Sequence, residues 1–255
     1  MGAPGMESVK QVLPGLKKQH AIDLVIAQAE NVTEGKGLSK EDFKRLRDMG
    51  VGFCTGGNWS LHRTELEDYL GDPQQPVIRP ANYPATTPGR GWKYIETKAG
   101  KVLVISLLGK IVGKDAEKPI DNPLKVIDAI LQENQGVERA ATIVNFHGDY
   151  SSEKRVIGYY LDGRVTAVVG DHWHVPTADA MVLPHGTAHI TDVGMCGSLH
   201  SSLGVKLESI VSRWRDGHVN RNELETARPY QFNAVLIKTT PDDLAQSITP
   251  IQITV

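Results

Sequence analysis

The sequence of 255 residues predicts a single α/β domain, and three observations support this. Short uncharged runs rich in β-branched residues, such as 165–169, are typical of strands buried on both faces. Segments with helical spacing alternate with these runs along the chain. No internal repeat, low-complexity tract or linker divides the sequence. We therefore expect residues 1–255 to form one domain built around layered β-sheet.

Strands are predicted at 23–29, 51–55, 92–97, 101–108, 140–146, 165–169, 187–191, 231–239 and 248–255. Helices are predicted at 6–18, 39–49, 63–70, 122–133, 151–161 and 206–215. Ser39 and Asn122 are N-cap residues, and a proline follows Asn122 at the first helical position. Pro14 predicts a kink or an early end of the first helix. An α/β domain usually opens with a strand, and none precedes this helix.

Composition limits the classes of function. Hydrophobic residues make up 40%, charged residues 23%, and the net charge is −2. This balance argues against an electrostatic nucleic-acid or membrane binder. The apolar runs are far shorter than a bilayer span, and no basic start leads into an apolar signal segment. Cys54 and Cys196 fit no zinc-binding spacing, so we expect two buried thiols in a cytoplasmic protein.

Two histidines follow the uncharged strand at 165–169. Gly170 is expected to break this strand, and His172 and His174 come next, spaced i and i+2. In extended geometry, residues at this spacing point to the same side, so the two imidazoles can converge past the carboxyl edge of a sheet. The alternative is a pair of loop histidines that hydrogen-bond the backbone.

Polar side chains also follow three other predicted strands: Glu30, Asn31, Asn58 and His147. Carboxylate, carboxamide and imidazole without thiolate suit iron, manganese or zinc. A carboxylate that bridges two ions about 3.5–4 Å apart is the two-metal hydrolase arrangement, and Glu30 is the only acid in the set. Alternatively, the asparagines are loop formers and Glu30 is a solvated strand end. Asp149, Asp171 and Asp192 are candidates for orienting the histidines, or else simple caps.

Seven segments together carry a resemblance to a known family: AENVTEGKGLS (29–39), GGN (56–58), RPANYP (79–84), TPGRG (87–91), FHGDYSSEK (146–154), DGRVTAVVGDHWHVPTAD (162–179) and ITDVGM (190–195). With them the chain resembles the calcineurin-like metallophosphoesterase superfamily. Within it, the chain is most similar to the bacterial YmdB-like branch, which is associated with 2′,3′-cyclic-nucleotide 2′-phosphodiesterase activity. The resemblance implies a four-layer αββα sandwich, with two mixed β-sheets flanked by helices.

The resemblance also implies a dinuclear metal centre and a small phosphodiester or cyclic-nucleotide substrate. In that centre Glu30 bridges the ions; Asn31 and His174 hold the first ion, and Asn58, His147 and His172 hold the second. Iron or manganese is the leading expectation for both ions, with zinc as the third candidate. The implied reaction is in-line attack on phosphorus by a metal-activated hydroxide. A homo-oligomer is compatible with the sequence.

The chain departs from the family pattern in two places. The family opens with a strand that ends in G-D-x-x-G, whose aspartate binds the first ion, and MGAPG at 1–5 matches only the turn after it. We therefore expect that this strand lies upstream or has been lost, and that the second metal site fills first and more tightly. The family also has Gly-Asn-His, whose histidine donates a proton to the leaving group, where this chain has Trp59. An indole cannot transfer a proton near neutral pH. His62 is a weak candidate substitute.

These departures keep a second interpretation open. The chain is then a catalytically weakened or inactive protein of the same fold that binds a nucleotide or a metal. Trp59 favours this alternative, since an aromatic ring can stack on a base. The six retained ligand positions favour the enzyme.

Overall fold

A six-stranded sheet lies at the centre of the protein, in a computed structural model that describes residues 1–113, 117–218 and 221–255. Its strands in spatial order are β3 (Trp92–Thr97), β4 (Gly100–Leu108), β5 (Ala141–His147), β6 (Ala167–Asp171), β8 (Ala188–Ile190) and β7 (Met181–Val182). The four inner strands are parallel, and the edge strands β3 and β7 are antiparallel to their neighbours. The inner strands therefore bring their carboxyl ends to one edge.

Helices α4 (Pro123–Glu133) and α5 (Ser151–Tyr160) cover one face of this sheet. Ile127 and Ile157 from these helices pack with Leu103, Ile105 and Phe146 in one core cluster, and all five are almost fully buried. Burying a side chain of this size stabilises the fold by about 1.5–3 kcal/mol. These contacts fix α5 directly behind β5 and β6.

The opposite face packs against a second layer of five strands in two hydrogen-bonded groups. β1 (Ile26–Gln28) pairs in parallel with β2 (Phe53–Thr55), while β9 (Gly197–Ser198), β10 (Tyr230–Thr239) and β11 (Ala245–Thr254) are antiparallel. Phe53 of the first group packs on Val104 of the central sheet. Ala245 of the second group packs on Ala167 and Ala188.

Helices α1 (Gly2–His20) and α2 (Lys40–Asp48) form the outermost layer on this side. Their residues Leu13, Phe43 and Leu46 share a core cluster with Cys54 of β2. The remaining helices are α3 (Glu67–Gly71), after a 3-10 turn at Thr64–Leu66, and α6 (Leu207–Asp216). The layers are helix, sheet, sheet and helix, so the predicted α/β sandwich of four layers is confirmed, with the second sheet in two hydrogen-bonded groups.

The predicted elements are present, with shifted ends, but two expected interruptions do not occur. The first helix does not end early at Pro14, which lies inside α1, and the helix continues to His20. Gly170 lies within β6 and does not break it. A Cβ at position 170 would lie 1.9 Å from the carbonyl oxygen of Thr191, so glycine lets the chain after β8 approach closely. The two-residue strands β7 and β9 were not predicted.

The two cysteines are free thiols that differ in exposure. Cys54 is fully buried, and Cys196 is partly exposed. Burial raises the pKa of the Cys54 thiol to about 12. Within 1–113, 117–218 and 221–255, no helix has the length and apolar character that crossing a bilayer requires.

Candidate metal centre

Four strand ends bring the predicted ligands to one place. β5 ends at His147, and the parallel register sets this residue beside Asp171 at the end of β6. β1 and β2 are paired with Gln28 opposite Thr55, so the chain leaves both strands side by side and runs on to Glu30 and Asn58. The sequence predicted that these polar residues share one sheet edge, because they follow uncharged strands. The structure shows that the register between neighbouring strands places them there.

Glu30, His147 and His172 form the core of the centre. Each offers a ligand atom, and these atoms all lie within 4.8 Å of one another. Glu30 Oε1 is 3.1 Å from His147 Nε2, and the rings of His147 and His172 are 4.3 Å apart. Asn58 Oδ1 is 2.8 Å from the same His147 nitrogen. A carboxylate, two imidazoles and a carboxamide therefore meet in one buried cluster.

The other nitrogen of His147 fixes the orientation of its ring. Nδ1 hydrogen-bonds to one carboxylate oxygen of Asp171. The other oxygen of Asp171 accepts from the side-chain amide of Asn145. Burial alone would lower the pKa of His147, but the carboxylates of Glu30 and Asp171 outweigh it and raise the pKa to about 10. The two acids hold a positive charge at this imidazole. A divalent cation at Nε2 supplies that charge equally well, so these residues fit a metal ion.

Asn31, the residue after Glu30, meets His174. Loss of water around the ring lowers the pKa of His174 to about 4, so its imidazole is neutral. Its Nδ1 lies 3.1 Å from the carbonyl oxygen of Leu203 and must donate to it, which leaves a lone pair on Nε2. Asn31 donates its amide to Gly35, so its Oδ1 faces Nε2 at 3.3 Å. Two acceptors that face each other fit a bound cation.

His172 reaches the cluster by a different backbone path than predicted. Its φ is 108° and that of His174 is 64°, so neither residue is extended, and the expectation that an i, i+2 extended spacing aligns them is wrong. The chain bends after β6, with positive φ at both histidines, and both rings still reach the centre. His172 Nε2 lies 3.2 Å from Asp149 Oδ1. Burial, with the nearby charge of His147, lowers the pKa of His172.

Trp59 and His62 lie beside the centre. The backbone N–H of Trp59 donates to Glu30 Oε2 at 2.9 Å, a bond that any residue here except proline could make. His62 is exposed and packs edge-on against the indole, with ring centroids 5.2 Å apart. The ammonium groups of Lys36 and Lys118 lie 4.6 and 5.8 Å from the indole centroid. The structure thus adds two cations that sequence reasoning missed, since isolated surface lysines carry no pattern.

Comparison with known proteins shows the family of this chain. The family model described as "YmdB-like protein" matches residues 1–251. The chain belongs to the YmdB-like family. This YmdB-like chain is 36% identical over 241 residues to the 2′,3′-cyclic-nucleotide 2′-phosphodiesterase of Bacillus subtilis, covering 94% of this chain and 85% of the relative.

Two solved structures share the fold of this YmdB-like chain. A novel phosphatase from Mycoplasma pneumoniae has a TM-score of 0.90 and 31% identity, over 99% of this chain and 90% of that one. A hypothetical protein from Thermus thermophilus has a TM-score of 0.88 and 34% identity, over 100% and 96%. Family membership confirms the resemblance, and the relatives confirm the expected class of enzyme, a phosphoesterase hydrolase.

Proposed function

We propose that this protein is a metal-dependent phosphodiesterase of small phosphodiesters, with 2′,3′-cyclic nucleotides as the first candidates. The main support for the proposal is the set of potential metal-ligand atoms that converge in the cluster. Glu30 Oε1 and Asn58 Oδ1 both face Nε2 of His147, and Asn31 Oδ1 faces Nε2 of His174. The activity named for the Bacillus subtilis relative supports the choice of substrate.

Two divalent ions fit the donor set, with iron or manganese as the leading candidates and zinc as the third. In the proposal, Asn58, His147 and His172 hold one ion, and Asn31 and His174 hold the other. The carboxylate of Glu30 serves both. When bound, such ions lower the pKa of water at the site and polarise phosphoryl oxygens.

The protein's own residues orient these ligands and attract the substrate. Asp171 holds the ring of His147 so that Nε2 points to the cluster, and Asp149 contacts the ring of His172. A phosphodiester is an anion. The ammonium groups of Lys36 and Lys118 near Trp59 add positive charge next to the centre, which favours its approach.

Departure of the leaving oxygen is the weak step in this proposal. The indole of Trp59 donates a hydrogen bond but transfers no proton near neutral pH. General acid assistance is worth about 10²–10⁴-fold in rate, so turnover is expected to be slow without being abolished. His62, exposed and edge-on to Trp59, is the remaining candidate donor.

A second candidate function is a nucleotide-binding protein with little or no catalysis. The observation that favours it is Trp59, an aromatic ring beside the proposed metal ligands. A base stacked on an aromatic side chain contributes about 1–3 kcal/mol. In this alternative a 2′,3′-cyclic nucleotide binds and is released unchanged.

Hydrolysis of bis-p-nitrophenyl phosphate and of 2′,3′-cyclic AMP with added Mn²⁺ tests the proposal. We expect activity in the wild type that EDTA removes and Mn²⁺ restores. His172→Ala should lower it at least 100-fold, because one proposed ligand is lost. His185→Ala is the matched control, since this exposed histidine pairs with Asp162. Binding of 2′,3′-cyclic AMP without hydrolysis would contradict the proposal and support the second candidate.

A further inference from the structure

The backbone at His172 is in a conformation that needs outside support. Its φ of 108° lies in the region that favours glycine, and His174 follows at 64°. A non-glycine residue is strained there and keeps this conformation only where the surrounding structure holds it. The contacts of the two peptide groups that flank His172 are therefore informative.

Both of these peptide groups are bonded to one buried ion pair. Lys154 Nζ donates to the carbonyl oxygen of Asp171, directly before His172, at 2.6 Å. Asp192 Oδ2 accepts from the backbone N–H of Trp173, directly after His172, at 2.8 Å. Lys154 and Asp192 are themselves 2.8 Å apart. One lysine and one aspartate thus bind the chain on each side of the strained residue.

Lys154 is also connected to the ring of His172, through Trp173 and Asp149. Lys154 Nζ lies 4.2 Å from the centroid of the Trp173 indole, and the indole N–H donates to the carbonyl oxygen of Asp149 at 2.9 Å. Asp149 in turn lies 3.2 Å from His172 Nε2. Both the backbone and the ring of His172 are therefore connected to Lys154.

We propose that Lys154 and Asp192 are positioning residues that hold His172 toward the metal cluster. The proposal rests on the proposed function, because His172 is one of its metal ligands. The side chains of the pair are 0% and 1% exposed. A buried ion pair is weak evidence for stability, since well-packed apolar residues often replace one at no cost. Holding the backbone of His172 in its strained conformation explains the position of this ion pair better than a contribution to stability does.

The double variant Lys154→Met/Asp192→Asn tests the proposal. It removes both charges, keeps the side-chain volumes and leaves a carbonyl oxygen at position 192 for one of the backbone amides. We expect the dissociation constant for Mn²⁺, measured by calorimetry on metal-stripped protein, to rise about 10–100-fold, the usual effect of losing a group that orients a ligand. We expect kcat to fall by a similar factor while KM stays within about threefold.

Trp173→Phe is the milder second variant, because it spares the buried ion pair and removes only the indole N–H that donates to Asp149. It should weaken Mn²⁺ binding less than the double variant does, and it tests the same support of His172 where the double variant folds poorly. Arg139→Met/Asp243→Asn is the matched control. This ion pair of 2.9 Å is also largely buried, and Arg139 precedes the opposite end of β5. It should lower the unfolding midpoint without changing the Mn²⁺ dissociation constant.

Two results keep this proposal separate from the proposed function. A Mn²⁺ dissociation constant within twofold of wild type in the folded Lys154→Met/Asp192→Asn protein overturns the positioning role, whatever the activity. A wild type that binds Mn²⁺ but hydrolyses no phosphodiester overturns the phosphodiesterase. In that case, weaker Mn²⁺ binding by the double variant still supports the positioning of His172.

Discussion

The two sides of the candidate metal centre are built differently. We call Asn58, His147 and His172 the inner half, and Asn31 with His174 the outer half. In the inner half, His147 is 1% exposed, ends a strand and shares Nε2 with two acceptors 2.8 and 3.1 Å away. In the outer half, both residues lie in loops, are half-buried and approach each other at 3.3 Å.

The difference shows what holds each half in place. Parallel strand register positions His147, and an ion pair holds His172 from behind. The outer half depends on loop contacts: Gly2 donates its backbone N–H to the carbonyl oxygen of Asn31, and Leu203 accepts from His174. Ligands held at fixed distances bind a metal with less loss of conformational entropy. We therefore expect the inner half to bind its ion more tightly.

The largest effect is expected from Glu30→Gln, because the carboxylate of Glu30 serves both halves in the proposed function. Loss of its charge should lower kcat/KM for bis-p-nitrophenyl phosphate by about 10³-fold or more, roughly 4 kcal/mol of transition-state stabilisation. Glu34→Gln is the control, since Glu34 is exposed and pairs with Arg63. A loss smaller than tenfold would mean that the halves do not depend on a shared acid.

A gain is expected from Trp59→His. The backbone bond from residue 59 to Glu30 is kept, so the metal ligands stay in place while a proton donor is added. Turnover of 2′,3′-cyclic AMP should rise about 10–100-fold, which is part of the rate gain that general acid catalysis usually supplies. Trp59→Phe should give no gain. If Trp59→His is no faster than Trp59→Phe, the missing donor does not limit the reaction.

A smaller effect, on acid stability, is expected from Asp179. Its carboxylate accepts hydrogen bonds from Thr177, in the segment after His174, and from Thr191, directly after β8. Burial alone would raise the pKa of Asp179, but hydrogen bonds from Thr177 and Thr191 outweigh it and lower the pKa to about 2. A lowered pKa stabilises the fold above the unfolded-state value, near 3.8, and this contribution is lost as the pH falls through about 2. The carboxylate is partly exposed, so the contribution is discounted to about 1 kcal/mol.

Urea unfolding of metal-free protein between pH 5 and pH 2 measures this contribution. Wild type should lose about 1 kcal/mol more of its unfolding free energy over this range than Asp179→Asn does. Asp23→Asn, on an exposed position after α1, should follow the wild type. Equal acid sensitivity of wild type and Asp179→Asn would show that these hydrogen bonds do not stabilise the fold.

The ligand positions were predictable because a few residue types follow uncharged strands, and parallel strands end at a common edge. Glu30, His147 and His172 meet there as expected. The left-handed backbone at His172 was not predictable, since only the contacts of Lys154 and Asp192 reveal what holds it. The division of the second layer into two hydrogen-bonded groups likewise depends on long-range pairing that periodicity does not encode.

Titration of metal-stripped wild type, His172→Ala and His174→Ala with Mn²⁺ measures the affinities of the two halves separately. We expect one tight equivalent and a second, weaker one in the wild type. The tight equivalent should disappear in His172→Ala and remain in His174→Ala. Two equivalents of equal affinity in the wild type, or loss of the tight equivalent in His174→Ala alone, would contradict the account.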